Sequence, residues 1–308
     1  MPIDVDTRLL RAFACVAEEL NFTRAAARLH LTQQALSAHV RQLEARVGVR
    51  LFDRTTRRVA LTPAGAVLLP RALAALEALD AGIGAAQEAD RRSGGVLQVT
   101  LLPMAVNELT GRIMRRFTQA RPDIRLEVAN APMREVTQIF AGGRTDVAFV
   151  WPPFRSDGLS MVTVLTEDRV AALPADHSFA RQDSVGPEEL ALEPQVHVEG
   201  SDPVQTAFWT LEEHRGGRPM RIGAHMTTFD DFFGVVGAGL AVGSCPASAA
   251  TALGPSFPSV RFLPIRDVAP CTIAVAWRTA AETPAVRAFV AVALEAAADD
   301  ASAHNARR

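Results

Sequence analysis

With 308 residues, the chain is about twice the length of a single domain, so two or three domains are expected. Hydrophobic residues make up 48% and charged residues 21%, a globular balance that excludes a disordered chain. The formal net charge of −2 excludes a protein that is polybasic throughout. The average hides a split. Residues 24–58 carry eight Arg against Glu44 and Asp53, whereas residues 93–308 carry 19 Arg against 24 acids. One end is built to meet a polyanion and the rest is not.

Only Cys15, Cys245 and Cys271 are present, an odd number without a C-x-x-C pair, which argues against a disulfide framework. Residues 1–10 hold two Asp and no apolar signal-peptide core, and no run reaches the length of a membrane span. A soluble, cytoplasmic protein with no membrane partner is the expectation.

Leu9, Leu10, Phe13, Ala17 and Leu20 recur at helical spacing and predict a first helix ending near Asn21. Thr23 is the expected cap of a second helix through Ala25, Ala26 and Leu29. Thr32 caps a third, with Leu36, Val40, Leu43 and Val47 inward and Gly48 past its end. That leaves Gln33, Gln34, Ser37, Ala38 and Arg41 outward, with His39 at the edge. Gln pairs bidentately with adenine, and Ser and Arg are versatile groove and phosphate contacts. Two short helices with polar residues opening the second match a helix-turn-helix. A generic three-helix unit with a solvated face matches the spacing equally well.

The next stretch separates the two. Leu51-Phe52 and Val59-Ala60-Leu61 flank a basic segment and read as a hairpin. Arg50, Arg54, Arg57 and Arg58 fall where a wing follows a recognition helix, and guanidinium groups there meet a minor groove or phosphates. Thr62-Pro63 then starts a helix reaching Arg92. In it Leu69, Ala72, Leu76, Leu79, Ile83 and Ala86 follow the 3-4-3-4-3 spacing of a coiled-coil seam. Such a helix is roughly 45 Å long and needs a partner for its stripe, most simply a second copy. Pro70 is expected to kink it.

Beyond a hinge at Arg91–Gly95, strand-like and helix-like segments alternate, which predicts α/β architecture with largely parallel sheets. The segments are Val96–Leu101, Asn107–Gln119, Arg125–Ala129, Met133–Ala141 and Asp146–Val150, then Val196–Val198 and a helix from about Pro203. Arg221–Gly223, Thr228–Gly237, Leu240–Gly243, Thr272–Trp277 and Pro284–Ala297 follow, with a frayed tail over residues 299–308.

The run from Thr7 to Gly65 resembles the winged helix of LysR-type transcriptional regulators. The resemblance is carried by Phe22-Thr23-Arg24-Ala25-Ala26, Leu31–Ser37, Leu43-Glu44, Gly48–Arg54 and Leu61–Gly65. It continues through the linker helix and, on shorter stretches such as Leu173–His177 and Gly237–Val242, to about Leu294. It implies DNA contacts from Thr23, Thr32, Gln33, Gln34, Ser37, Ala38, His39, Arg41, Arg54, Arg57 and Arg58, with Arg57 in the minor groove. Where the family commonly has a long polar residue, Ala38 offers only a methyl, which suits thymine.

The implied organisation is a winged helix over residues 1–62, a dimerising linker helix over 63–92 and an effector-binding domain over 93–308. The last resembles a two-subdomain periplasmic-binding-protein-like α/β sensor, subdomain 1 being about 93–164 and 266–298, and subdomain 2 about 165–265. The crossovers are expected near Val162–Thr166 and Phe262–Ile265. By position the cleft is lined by Leu102, Pro103, Met104, Asn130, Trp151, Ser201, Asp202, Thr227 and Thr228. Large apolar residues there suggest an effector with an apolar or aromatic body and few charges, rather than a compact di- or tricarboxylate.

The resulting expectation is a ligand-responsive regulator that binds double-stranded operator DNA as a dimer or, by the resemblance, a tetramer. No catalytic constellation, cofactor loop or metal motif stands out: Gly237, Gly239 and Gly243 follow a helix rather than a strand. Two alternatives remain open. One is a cytoplasmic α/β solute-binding protein or enzyme; the other is a redox sensor acting through Cys245 and Cys271.

Overall fold

Helix α1 (Thr7–Glu19) starts at Asp6, whose carboxylate accepts the Arg8 amide at 2.9 Å. The computed structural model describes residues 5–54, 59–105, 107–226 and 231–305. The chain divides into two compact units, Met1–Gln87 with Ala141–Gly143, and Glu88–Phe140 with Arg144–Arg308.

In the first unit, α2 (Phe22–Arg28) is capped by Asn21, which accepts the Thr23 and Arg24 amides at 2.9 and 3.0 Å. The expected cap, Thr23, therefore lies inside the helix. The earlier start lets Phe22 bury its ring edge-on against Phe52, centroids 5.9 Å apart. Helix α3 (Gln33–Val47) is capped by Thr32, which accepts the Ala35 amide at 3.2 Å, and ends at Gly48 with φ 79°. Leu36, Val40 and Leu43 are fully buried in a core shared with Phe13, Leu51 and Phe52. Val47 is half-buried at its edge.

Strands β1 (Phe52–Arg54) and β2 (Val59–Leu61) pair antiparallel as the expected hairpin. Glu44 of α3 anchors its start, accepting the Leu51 and Phe52 amides at 2.8 and 3.2 Å. Helix α4 (Pro63–Gly94) runs 32 residues and includes Pro70 in its interior. Thr62 ties its start back, donating to the Arg50 carbonyl and accepting the Gly65 amide. A Cβ at Gly65 would lie 2.2 Å from the Leu51 carbonyl oxygen, so only glycine permits this approach.

The second unit opens with β3 (Val96–Leu101), α5 (Glu108–Ala120), β4 (Arg125–Asn130) and β5 (Val147–Val150). Next come β6 (Leu159–Glu167), β7 (Arg169–Pro174), α6 (Pro187–Leu192), β8 (Gln195–Val198) and α7 (Pro203–Trp209). Strand β9 (Ile222–Met226), α8 (Phe232–Gly237), β10 (Gly243–Pro246) and α9 (Ala247–Leu253) follow. Strands β11 (Val260–Pro264) and β12 (Cys271–Arg278) lead to α10 (Pro284–Asn305). One sheet has the order β4-β3-β5-β12-β6, covered by α5 and α10 through Phe117, Phe149 and Phe289. The other subdomain holds β10-β7-β11 and the pair β8-β9, linked by a bridge between Gln195 and Val242.

Four expectations need correction. The sheets are mixed: β3 is parallel to β4 and β5, but β12 is antiparallel to β5 and β6, and β7 to β10 and β11. Strands that carry the chain between subdomains return in the opposite direction. The segment 133–143 forms short 3₁₀ turns rather than one helix. Its buried Met133, Val136 and Ile139 are three apart, a spacing that 3₁₀ turns also align on one face. The strand expected over Leu240–Gly243 begins at Gly243, since Ala241 and Val242 are buried in the approach to it. The tail is helical to Asn305, held by Arg112–Asp300 and Arg116–Asp299 pairs at 2.8 and 2.7 Å.

The crossovers also shift. Strand β6 keeps pairing with β12 as far as Glu167, so the first passage is at Asp168, beyond Val162–Thr166. The second lies over residues 265–270, between β11 and β12.

Candidate functional site

The polar face of α3 is the first candidate. Gln33, Gln34, Ala38 and Arg41 are exposed, and Ser37 and His39 are half-buried at its edges. Thr23 and Thr32 are exposed at the starts of α2 and α3, though the Thr32 hydroxyl already accepts the Ala35 amide. On α2, Arg24 and Arg28 both pair with Glu19 at 3.1 Å, and Arg28 also pairs with Glu18. The intramolecular pairs take up the basic charge of α2, leaving Arg41 and the exposed Arg50 to meet a polyanion. The Arg54 side chain, Arg57 and Arg58 lie outside the described residues. A bidentate amide, a guanidinium and a methyl on one helix face match the donors, acceptors and thymine methyl of a major groove.

The second candidate is a cleft between the two subdomains of the sensor, with a free volume of about 60 Å³. Trp151, leaving β5, and Trp209, ending α7, meet edge-to-face with centroids 5.9 Å apart. The Trp151 indole donates to the Pro103 carbonyl at 3.0 Å, and its own carbonyl accepts from Gln205 Nε2 at 2.9 Å. Met104, Met133, Met226 and Phe232 extend the apolar wall. Met104 stands at φ 61°, a conformation costly for a long side chain and found where a site demands it. At the start of α7 the buried Asp202 carboxylate accepts the Val204 and Gln205 amides and pairs with Arg155 at 2.7 Å. It thereby takes the place an anionic ligand would need at that helix end.

Two family models match the chain: "LysR substrate binding domain" over residues 90–298 and "Bacterial regulatory helix-turn-helix protein, lysR family" over residues 7–66. This chain belongs to the LysR family. It is a DNA-binding, ligand-responsive transcriptional regulator with an effector-binding domain. It is 32% identical to the HTH-type transcriptional regulator AlsR of Bacillus subtilis over 247 residues, 80% of this chain and 82% of AlsR. It is 30% identical to the Hca operon transcriptional activator HcaR of Escherichia coli over 305 residues, 94% of this chain and 98% of HcaR. Its fold is similar to full-length CbnR solved with its target DNA, with TM-score 0.50 and 24% identity, covering 95% of this chain and 99% of CbnR.

Within this LysR sensor, Met104, Trp151 and Ser201 line the cleft. Leu102 does not: it is 1% exposed and packed in the core of the first subdomain. Two residues further on, the chain has turned enough for Met104 to reach the cleft. Pro103 acts through its carbonyl, Asn130 is exposed at the end of β4, and Asp202 caps α7 rather than lining the space. Thr227 and Thr228 lie outside the described residues. Sequence reasoning missed Gln205, Trp209 and His197, which the cleft brings together. The first two are four apart on a helix expected from Pro203, a spacing that places them on one face.

Asp202 yields a test of this architecture. Burial raises its pKa, but hydrogen bonds from Arg155, Gln205 and Val204 outweigh that and hold it below the usual carboxylate range. Its stabilising contribution is therefore present above the ordinary carboxylate pKa and lost as pH falls through the depressed value. Asp202→Ala is expected to lower the sensor's stability at neutral pH by about 1–2 kcal/mol, the size of a lost cap. Urea unfolding at neutral pH and at strongly acid pH checks this, since the difference from wild type shrinks in acid.

The cysteines are all buried. Burial pushes the Cys271 thiol up to about 12, with Glu167 adding to the effect, and pushes Cys245 higher still. Among the described residues no group of three His, Cys, Asp or Glu side chains could hold a metal, and no helix is long and apolar enough to cross a membrane.

Proposed function

We propose that α3 reads operator bases through Gln33, Gln34, Ser37, Ala38 and Arg41, and that a small molecule in the Trp151–Trp209 cleft controls that binding. The observation that carries the first half is the division of α3: Leu36, Val40 and Leu43 are buried to 0% exposure while the amide-rich face stays in solvent. On this reading Arg54, Arg57 and Arg58 contact the phosphates and minor groove flanking the recognition helix. The chain acts as a dimer through α4 and assembles further into a tetramer. The family relatives are transcriptional regulators, and among the described residues no cleft hydroxyl is hydrogen-bonded to an imidazole, which favours binding over catalysis.

Fluorescence anisotropy with duplex DNA from the promoter region beside the chain's own gene tests the first half. Gln33→Ala is expected to weaken binding by about 1–3 kcal/mol and to relax preference at one base pair. Arg57→Ala should cost a similar energy. Unchanged affinity in both variants at near-physiological salt would refute the assignment of helix and wing.

The redox reading finds less support. A thiolate is the species that peroxide oxidises, and thiols as buried and as weakly acidic as Cys245 and Cys271 form almost none at neutral pH. Peroxide-dependent DNA binding lost in Cys→Ser variants would restore it.

A further inference from the structure

We infer that the cleft selects an uncharged ligand of a few non-hydrogen atoms, bearing one group that both donates and accepts hydrogen bonds, and discriminates against the carboxylate of the same shape. The inference rests on the reading of the cleft as the effector site and concerns the chemistry that site takes.

Gln205 is 1% exposed, and its Nε2 is committed to the Trp151 carbonyl. That bond fixes the orientation of the amide and leaves Oε1 buried with no partner among the described residues. One turn along α7, the Trp209 Nε1–H is likewise buried and unpartnered, as is His197 Nδ1. Buried polar atoms are almost always hydrogen-bonded, so an unpaired acceptor and an unpaired donor on two residues that line one small cleft call for a complementary occupant.

The remaining polar groups narrow the chemistry. Ser201 Oγ donates to the Val198 carbonyl, so in its 2.6 Å contact with Thr206 the proton comes from Thr206. Thr210 Oγ1 donates to the Thr206 carbonyl and Ser244 Oγ to that of Trp209. These hydroxyls have lone pairs to offer and no free proton. No Arg, Asp or Glu is among the described lining residues. Burial, and then the nearby His225, lower the His197 pKa and so favour its uncharged imidazole.

A carboxylate, which only accepts, would find the indole N–H and, in one tautomer, the His197 Nδ1–H, but would face Gln205 Oε1 and would lose its hydration without a cation to replace it. An alcohol or primary carboxamide can accept from Trp209 while donating to Gln205. Size sets the second limit. The free volume of about 60 Å³ is far below the roughly 150 Å³ of a cavity that holds benzene. The body is therefore one or two carbons rather than a ring.

Isothermal titration calorimetry on the full chain, with acetamide and acetate as shape-matched probes and benzamide and benzoate as a larger pair, decides this. Acetamide is expected to bind at least tenfold tighter than acetate. Trp209→Phe and Gln205→Met should each weaken acetamide by roughly 2- to 12-fold, the worth of one hydrogen bond. Gln205→Met stays close to the original side-chain volume, Trp209→Phe keeps an aromatic ring in place, and an unchanged thermal transition confirms that each is folded. Acetate binding as tightly as its amide would overturn the inference and leave the effector reading standing. Benzamide binding more tightly than acetamide would overturn the size limit. Acetamide affinity unchanged in both variants would overturn the assignment of the polar pair. Heat from none of the four probes would overturn the inference and count against the effector reading.

Discussion

Phe13→Ala is expected to unfold the DNA-binding unit while leaving the sensor folded. Phe13 is 0% exposed, and its ring lies 5.5 Å from that of Phe52, which in turn packs against Phe22. The same core seats Leu36, Val40 and Leu43, so it sets the angle at which the polar face of α3 is presented. Truncating a buried Phe costs about 3–5 kcal/mol. A domain of some 60 residues has few kcal/mol to spare. The sensor has its own core around Phe117, Phe149 and Phe289, to which Phe13 does not belong. Calorimetry should therefore show the first unit's transition shifted or lost and the second one kept, with operator binding abolished. A single transition, lowered as a whole, would mean that the two cores do not unfold independently.

The DNA-binding unit was legible because its signals are local. Leu36, Val40 and Leu43 keep helical spacing, Thr32 and Gly48 cap the same helix, and the hairpin is bracketed by apolar pairs. The miss at Thr23 has a local cause too: Asn21, two residues earlier, takes the Thr23 and Arg24 amides and starts the helix ahead of Thr23. The sensor was legible only in its strands. Period alone could not decide between α-helix and 3₁₀ turns at Met133, nor the direction of β12, which depends on the sheet it returns to. The cleft was harder still. Gln205 matters because its Nε2 is held by a carbonyl more than 50 residues away in sequence, which leaves Oε1 buried without a partner on a residue that lines the cleft. Nothing near Gln205 in the chain announces that. Leu102 and Met104 show the same limit, since a turn just past the end of a strand separates core from cleft.

The structure also redistributes the linker-helix seam, and with it the variant that tests assembly. Leu69 and Ala72 pack onto the winged-helix core, and Leu76 is only 8% exposed within a single chain. Leu79 and Ile83, by contrast, are 39% and 48% exposed, and Ala86 is exposed one turn on. The part of the 4-3 spacing left for a second copy is therefore residues 79–86. Burying a Leu or Ile side chain is worth about 1.5–3 kcal/mol. In a two-fold interface each substitution counts twice, and an unpaired Asp adds the cost of a buried charge. Leu79 and Ile83 have under half of their surface left to cover, so Leu79→Asp combined with Ile83→Asp should weaken dimerisation by about 3–5 kcal/mol before the buried charges add to it, roughly two to four orders of magnitude. Light scattering should report monomers. Operator affinity should fall steeply, because two half-sites are no longer held by one particle. Leu76→Asp separates assembly from folding: its charge would be buried within one chain, so it should lower the thermal transition first. A mass unchanged by the double substitution, with the chain still folded, would place the dimer contact elsewhere than on this stripe.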